Sequence, residues 1–119
     1  MNGSGFYEET AVTTQSRGRL VVMLYDGAIK FLKQAVKALQ AGDLEAKAQN
    51  IGRARDVIFE LNTVLDLEAG GEVAQNLRKL YNFMNSHLTQ ANNSNDVQMM
   101  REVIGLLNKL NEGWRAVSV

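Results

Sequence analysis

Residues 51–65 read IGRARDVIFELNTVL, and the order of apolar and polar residues in this stretch decides the fold class. Apolar side chains recur every three or four residues, at Ile51, Ala54, Ile58, Leu61 and Leu65. This spacing places side chains on one face of an α-helix, whereas a half-buried strand alternates at every second residue. The stretch therefore predicts an amphipathic helix. A later segment repeats the pattern with Val73, Leu77, Leu80, Met84, Leu88 and Ala91.

Helices of similar length are predicted on both sides of this stretch. Three breaks rich in Gly, Asn, Ser and Asp lie at residues 41–43, 68–71 and 91–96. These residue types end one helix and cap the next. Four helices result, near residues 17–41, 43–67, 72–92 and 95–117. Because the connections are short, we expect an all-α fold, an antiparallel up-down-up-down four-helix bundle.

The predicted domain organisation is a flexible N-terminal arm at residues 1–16 followed by a helical bundle domain at residues 17–119. The arm is polar, with isolated apolar anchors at Phe6, Tyr7 and Val12. The whole chain of 119 residues contains no proline, so no residue of that type interrupts a long helix. A chain of this length is expected to form one hydrophobic core.

The charge and composition exclude several classes of protein. Lys plus Arg equals Asp plus Glu at 13 each, so the chain lacks the basic excess that nucleic-acid binding requires. The chain has no cysteine, which excludes disulfides and thiolate sites. No apolar run approaches the ~20 residues that cross a bilayer, and the first residues lack a secretory signal. We therefore expect a soluble, cytoplasmic protein that binds no nucleic acid and does not insert into membranes.

Motifs of catalytic and cofactor-binding sites are missing from the sequence. A di-iron bundle needs two Glu-x-x-His pairs, whereas this chain has one histidine, His87. Neither a Gly-x-Ser-x-Gly elbow nor a phosphate-binding Gly-x-x-x-x-Gly-Lys loop is present. The chain is therefore predicted to be no enzyme and to hold no metal or cofactor. One alternative is a histidine phosphotransfer domain that uses His87, although no lysine and glycine follow this histidine directly.

The first and fourth predicted helices carry more apolar surface than a bundle core needs. Each is apolar over about half of its circumference, whereas a core-facing stripe usually covers ~100° or a little more. A broad core, self-association of the bundle, or grooves for another chain would each explain the surplus. Large apolar residues at the edges of the second and third helices favour grooves, because such groups attract a partner. These edge residues are Val57, Phe59, Val64 and Phe83.

Residues 20–29 read LVVMLYDGAI, a string that resembles the signature of the flagellar secretion chaperones, the FliS family. Further matches follow in the family's order and spacing: GGEVAQNL at 70–77, Leu80-Tyr81, Leu88, Ala91-Asn92, Leu106-Leu107 and Trp114-Arg115. The similarity runs from about residue 7 to residue 114. Many members have Ser-Pro before the first helix, whereas Ser16 is followed here by Arg17. This departure leaves the start of the first helix open.

The resemblance implies a binding protein for newly made flagellin. Members of the family are helical bundles that hold the C-terminal segment of flagellin, which is disordered when free. They keep flagellin from polymerising before its export through the flagellar type III apparatus. Client helices and extended stretches would place apolar residues in the grooves of the bundle. Components of the export apparatus are implied as further partners, and a homodimer in the absence of client stays open.

The resemblance and the surplus apolar surface together indicate a site for the flagellin segment. Tyr7 and residues 12–14 resemble the family's docking arm, which can cover a groove when no client is present. The other candidates are Leu20, Val21, Leu24, Tyr25, Asp26, Ile29, Asn76, Tyr81 and Phe83. Among the matching leucines, Leu24, Leu77 and Leu80 are expected to pack in the core. Replacing Tyr25 or Ile29 is expected to weaken client binding more than it perturbs the fold.

Overall fold

The computed structural model describes the backbone of residues 3–68 and 70–118 and the side chains of residues 18–65 and 70–116. The described chain forms four α-helices: α1 (Gly3–Gln40), α2 (Leu44–Glu68), α3 (Gly71–Ser94) and α4 (Val97–Ser118). Helices of two dozen residues with short connections are the elements that the apolar spacing predicts. The all-α fold class is therefore confirmed.

The four helices form a ring in chain order, with neighbouring pairs α1/α2, α2/α3, α3/α4 and α4/α1. Side-chain hydrogen bonds show the relative directions. Lys47, near the start of α2, bonds to Asn92, near the end of α3. His87, in the later half of α3, lies 3.0 Å from Glu102, in the first half of α4. Sequential helices run antiparallel, and the predicted four-helix bundle is confirmed.

The first helix begins earlier in the chain than the sequence predicts. α1 has 38 residues and starts at Gly3, whereas the predicted start lies near residue 17. No proline precedes that point, so no residue there lacks the backbone amide that a helix uses. The side chains of residues 3–17, Tyr7 among them, lie outside the described ones. The role of residues 1–16 as a docking arm stays a prediction.

The core is one continuous cluster of apolar side chains contributed by all four helices. The predicted apolar stripe of α2 is buried as expected, at Ile51, Ala54, Ile58, Leu61 and Leu65. Completely burying one such leucine or isoleucine stabilises the fold by about 1.5–3 kcal/mol. Leu24, Leu77 and Leu80 are partly buried and pack against this cluster, as the sequence predicts.

The buried face of α3 is rotated from the predicted one. Its buried residues are Ala74, Tyr81, Met84, Leu88 and Ala91. Val73, which the pattern assigns to the core, is 71% exposed. Tyr81 takes an inward position instead, because its hydroxyl finds a buried hydrogen-bond partner and its ring can then leave water at little cost.

The helix connections use the residue types that the breaks predict. Gly42 and Asn95 have positive φ angles of 79° and 54°, the left-handed conformation that ends many helices. An aspartate follows each of them and caps the next helix. Asp43 Oδ1 accepts a hydrogen bond from the Ala46 amide at 3.0 Å. Asp96 Oδ1 accepts one from the Met99 amide at 3.1 Å.

A buried lysine joins α2 to the end of α3. The Lys47 Nζ donates to the Asn92 carbonyl at 2.9 Å, to Asn92 Oδ1 at 2.7 Å and to Asn95 Oδ1 at 2.7 Å. All three donor positions of the ammonium group are thus used. The charge lies at the C-terminus of α3, where the helix dipole favours a cation. Lys47 therefore stabilises this end of the bundle.

Candidate partner-binding surfaces

Three aromatic side chains from three helices meet in the bundle interior. We call Tyr25 of α1, Tyr81 of α3 and Trp114 of α4 the tyrosine centre. The two tyrosine hydroxyls share a hydrogen bond, and Trp114 Nε1 donates to the Tyr25 hydroxyl at 3.2 Å. The tyrosine ring centroids are 6.4 Å apart, with the rings tilted by 54°. The centre ties α1, α3 and α4 together.

The environment of the tyrosine centre keeps both hydroxyls neutral. Burial raises the pKa of Tyr25, and this effect exceeds the opposite one of the hydrogen bonds with Tyr81 and Trp114. Burial also raises the pKa of Tyr81 strongly, and the neighbouring Tyr25 raises it further. A phenolate in this apolar surrounding would be costly. The pair therefore acts as a structural hydrogen bond rather than as an acid or base.

Asp26 joins α1 to α4 beside the tyrosine centre. Its Oδ1 accepts a hydrogen bond from Asn111 Nδ2 at 2.7 Å. Its Oδ2 accepts one from an Arg115 guanidinium nitrogen at 2.6 Å, and both charged side chains are about half exposed. Trp114 and Arg115 are adjacent, so one turn of α4 donates hydrogen bonds to both Tyr25 and Asp26 of α1. The acid that matches the family pattern thus serves here to pair two helices.

The predicted site residues divide between the core and the surface. Four of them are buried: Val21, Tyr25, Ile29 and Tyr81. Leu24 is half-buried. Four are exposed: Leu20, Asp26, Asn76 and Phe83. Because Tyr25 and Ile29 lie in the core, we now expect replacements at these two positions to perturb the fold directly.

The edge between α1 and α2 carries an apolar surface. Leu20, Leu24 and Phe31 share one row of α1 at helical spacing, and the Arg53 guanidinium of α2 lies 6.0 Å from the centre of the Phe31 ring. The row therefore faces α2. Val57 and Val64 continue the Arg53 row on α2, and Met23 adjoins on α1. We define the α1/α2 surface as Leu20, Met23, Leu24, Phe31, Val57 and Val64.

A second apolar surface lies on the opposite side of the ring. The Phe83 ring stacks on His87, with centroids 4.9 Å apart and an angle of 26°. His87 Nε2 lies 3.0 Å from Glu102 Oε1 of α4, so this row of α3 faces α4. Met99 and Leu106 lie one turn before and one turn after Glu102 on α4, Leu80 lies two turns before His87 on α3, and Leu110 lies one turn after Leu106. All four leucine and methionine side chains are partly buried. We define the α3/α4 surface as Leu80, Phe83, His87, Met99, Leu106 and Leu110.

The surroundings of His87 disfavour a phosphotransfer role. Its imidazole is largely buried between an aromatic ring and a carboxylate. A phosphohistidine needs an accessible ring nitrogen, and Glu102 would repel the incoming phosphoryl group. Nothing in this geometry supports His87 as a phosphate carrier.

Sequence reasoning missed the partners of several matching residues. Asn111 and Asp26 are 85 positions apart, and no local pattern connects them. Met23 interrupts the otherwise charged face of α1, and it is 67% exposed beside Leu20. Its signal in the sequence is its spacing of three residues from Leu20, which makes the two side chains neighbours on the helix. Across residues 3–68 and 70–118, every helix lacks the combination of length and hydropathy that a membrane-spanning helix needs.

Comparison with known proteins decides the family. A family model for the flagellar protein FliS matches residues 1–119. The chain belongs to the FliS family. It is 42% identical to the flagellar secretion chaperone FliS of Salmonella typhimurium, over 92% of this chain and 82% of that protein. It is 38% identical to the flagellar secretion chaperone FliS of Vibrio cholerae, over 91% and 82%.

A more distant relative carries the same name. The flagellar secretion chaperone FliS of Bacillus subtilis is 34% identical, over 92% of this chain and 80% of that protein. The resemblance drawn from residues 20–29 and the later motifs is confirmed. FliS proteins are chaperones of flagellar secretion and not enzymes, so the prediction of a non-enzymatic chain is also confirmed.

Proposed function

We propose that this FliS protein binds the C-terminal segment of flagellin in the cytoplasm, prevents its premature polymerisation and delivers it for type III flagellar export. The observation that supports the proposal is the pair of apolar surfaces on opposite sides of the bundle. The relatives of this chain in Vibrio cholerae and Salmonella typhimurium are flagellar secretion chaperones, which agrees with a client of this pathway. Components of the export apparatus are proposed as further partners, because delivery requires contact with them.

Each of the two surfaces exposes large apolar side chains to water, which is unfavourable for the isolated protein. Leu20 and Met23 of the α1/α2 surface are 43% and 67% exposed. Phe83 of the α3/α4 surface is 49% exposed. Burying apolar area contributes roughly 25 cal/mol per Å². A client with apolar residues at helical spacing would gain this energy in the grooves.

The position of two surfaces on opposite sides fits a client that wraps around the bundle. A segment that is disordered when free loses conformational entropy when it binds. Only a large buried interface offsets this loss. One edge of a bundle of this size offers a short groove, whereas a segment that crosses both edges buries more of its apolar side chains. We therefore propose that one flagellin segment occupies both surfaces.

Gly27 provides a further argument for a partner at the α1/α2 surface. It lies inside α1, where glycine costs about 1 kcal/mol relative to alanine. A Cβ atom added at Gly27 would meet no atom within 4 Å, so packing within the described chain does not require a glycine there. Other helical glycines have the same open space, but Gly27 lies one turn after Met23 and Leu24 of the α1/α2 surface, so we propose that a client backbone approaches there.

A calorimetric titration tests the proposal. The purified protein is titrated with the C-terminal segment of flagellin from the organism that encodes it. We expect saturable binding of one segment to one chain. An equimolar amount of the protein should also delay polymerisation of full-length flagellin, measured by light scattering. A well-folded protein that gives no binding heat and no delay would contradict the proposal.

A further inference from the structure

The edge between α1 and α4 carries a row of lysines. Lys30, Lys33 and Lys37 follow Asp26 by four, seven and eleven residues. At ~100° per residue, all three lie within about 40° of Asp26 around the helix. Asp26 faces α4, because it bonds to Arg115. The three lysines therefore line the same edge and extend over about 10 Å along α1.

A fourth cation of the same edge comes from α4. Arg101 precedes Arg115 by fourteen residues, which also places it within about 40° of the α1-facing row. Because α1 and α4 are antiparallel, moving from Asp26 towards Lys37 corresponds to moving from Arg115 towards Arg101. Arg101 and Lys37 therefore lie at the same end of the edge. We define the basic edge as Lys30, Lys33, Lys37 and Arg101.

The four cations of the basic edge are exposed, and none forms an ion pair with a carboxylate of the described side chains. Glu112 of α4 lies eleven residues after Arg101 on the same side of the helix and is the one acid there without a described partner, so the edge keeps an excess of positive charge. The other acids nearby are engaged elsewhere. Asp26 bonds to Asn111 and Arg115, and Glu102 bonds to His87 on the other side of α4. At the far end, Asp43 and Asp96 each cap a helix N-terminus.

The fold itself explains only part of this arrangement. Lys37 lies in the last turn of α1, where a cation is favourable for the helix dipole. That effect falls off within one turn, so it does not reach Lys30 or Lys33. Like charges four residues apart on a helix are mildly destabilising instead. A row of cations without a carboxylate partner among the described side chains therefore points to an external negative charge.

We propose that the basic edge docks an acidic surface of another protein. Carboxylates spaced three and four residues apart on an acidic helix would match the lysine spacing. A nucleic acid fits less well, because the chain has a net charge of +0 and the edge holds only four cations without an aromatic side chain. The basic edge shares no residue with the α1/α2 or α3/α4 surface. A partner could bind here while a client is held.

The test uses a fluorescent glutamate-rich helical peptide as the probe, with binding measured by anisotropy at low and at physiological salt. We expect binding that weakens as salt rises. The double variant Lys30→Glu/Lys33→Glu should bind the peptide at least about tenfold more weakly. The control Lys79→Glu/Lys109→Glu changes the net charge equally on exposed positions of α3 and α4. It should retain peptide binding within about twofold.

Three results would overturn the proposal. An equal loss of peptide affinity in the two charge-reversal double variants would show that binding responds to the net charge alone. An oligonucleotide of equal charge that binds as tightly as the peptide would show a general anion site. Unchanged peptide binding by Lys30→Gln/Lys33→Gln, which removes the charges without reversing them, would exclude the edge even if the charge-reversal variant misfolds. Binding of the flagellin segment by the glutamine variant should stay unchanged, which separates this proposal from the proposed function.

Discussion

Tyr81 and Phe83 are two residues apart on α3, and they lie in opposite surroundings. Tyr81 points into the tyrosine centre, where its hydroxyl bonds to Tyr25. Phe83 lies on the α3/α4 surface, half exposed and stacked on His87. Both positions are predicted from the sequence to contact the client. The structure assigns one to the interior and leaves the other available to a partner.

This difference separates two reasons why a residue can match a family pattern. A buried aromatic residue with a hydrogen-bonded hydroxyl holds helices together. An exposed aromatic residue on a groove contributes little to the fold and is well placed for binding. Mutations in the tyrosine centre should therefore change stability first. Mutations on the α3/α4 surface should change client binding first.

The largest expected effect is the loss of stability in Tyr25→Ala. The change removes a buried ring and leaves the partner groups of Tyr81 and Trp114 without a hydrogen bond. We expect the free energy of unfolding to fall by about 3–5 kcal/mol. Chemical denaturation followed by the fluorescence of Trp114, the one tryptophan of the chain, measures it. The control Tyr25→Phe should lose only about 1–2 kcal/mol, and equal losses in the two variants would contradict a packed centre.

The second prediction concerns alkaline pH. Both tyrosines of the centre have a raised pKa in the folded protein, whereas in the unfolded chain each ionises near pH 10. Above about pH 10 the unfolded chain loses these protons and the folded chain keeps them, so stability falls as pH rises. Each tyrosine contributes up to about 1.4 kcal/mol per pH unit.

The pH effect is checked by denaturation of wild type and of Tyr81→Phe between neutral pH and about pH 11.5. The variant should be less stable at pH 7 and should lose stability less steeply above about pH 10. Parallel curves for the two proteins would show that Tyr81 ionises normally in the folded state.

The third prediction concerns Phe83→Glu on the α3/α4 surface. We expect binding of the flagellin segment to weaken about tenfold or more, because a charge replaces an exposed aromatic contact. Stability should change by about 1 kcal/mol or less. The control Gln75→Glu adds the same charge at another exposed position of α3 and should bind normally. Calorimetry gives the affinities, and normal binding by Phe83→Glu would remove this surface from the site.

The smallest effect is expected for Gly27→Ala, with opposite signs for stability and binding. Alanine should stabilise α1 by up to about 1 kcal/mol, because the added Cβ atom meets open space. The same methyl group should weaken client binding, since it stands where the client backbone is proposed to approach. Gly105→Ala on α4 is the control and should stabilise the protein without a change in affinity. A stabilised Gly27→Ala protein with unchanged affinity would contradict a client at this position.

Much of the fold follows from the sequence, whereas the division of the site does not. The three- and four-residue spacing around Ile58 and the capping residues Gly42 and Asn95 predict the helices and their connections. The burial of Tyr81 in place of Val73 depends on a hydroxyl partner on another helix, which periodicity does not contain. The pairing of Asp26 with Asn111 likewise depends on how α1 and α4 meet. Exposed edge positions such as Phe83 could be read from the helical pattern alone.

We propose that the client buries the two apolar surfaces while the tyrosine centre supports the fold beneath them. Titration of the flagellin segment at several temperatures tests it most directly. We expect a strongly negative heat-capacity change of binding that becomes smaller in magnitude in Phe83→Glu and is retained in folded Tyr81→Phe. A heat-capacity change near zero, or one that is lost in Tyr81→Phe and retained in Phe83→Glu, would contradict client binding at these surfaces.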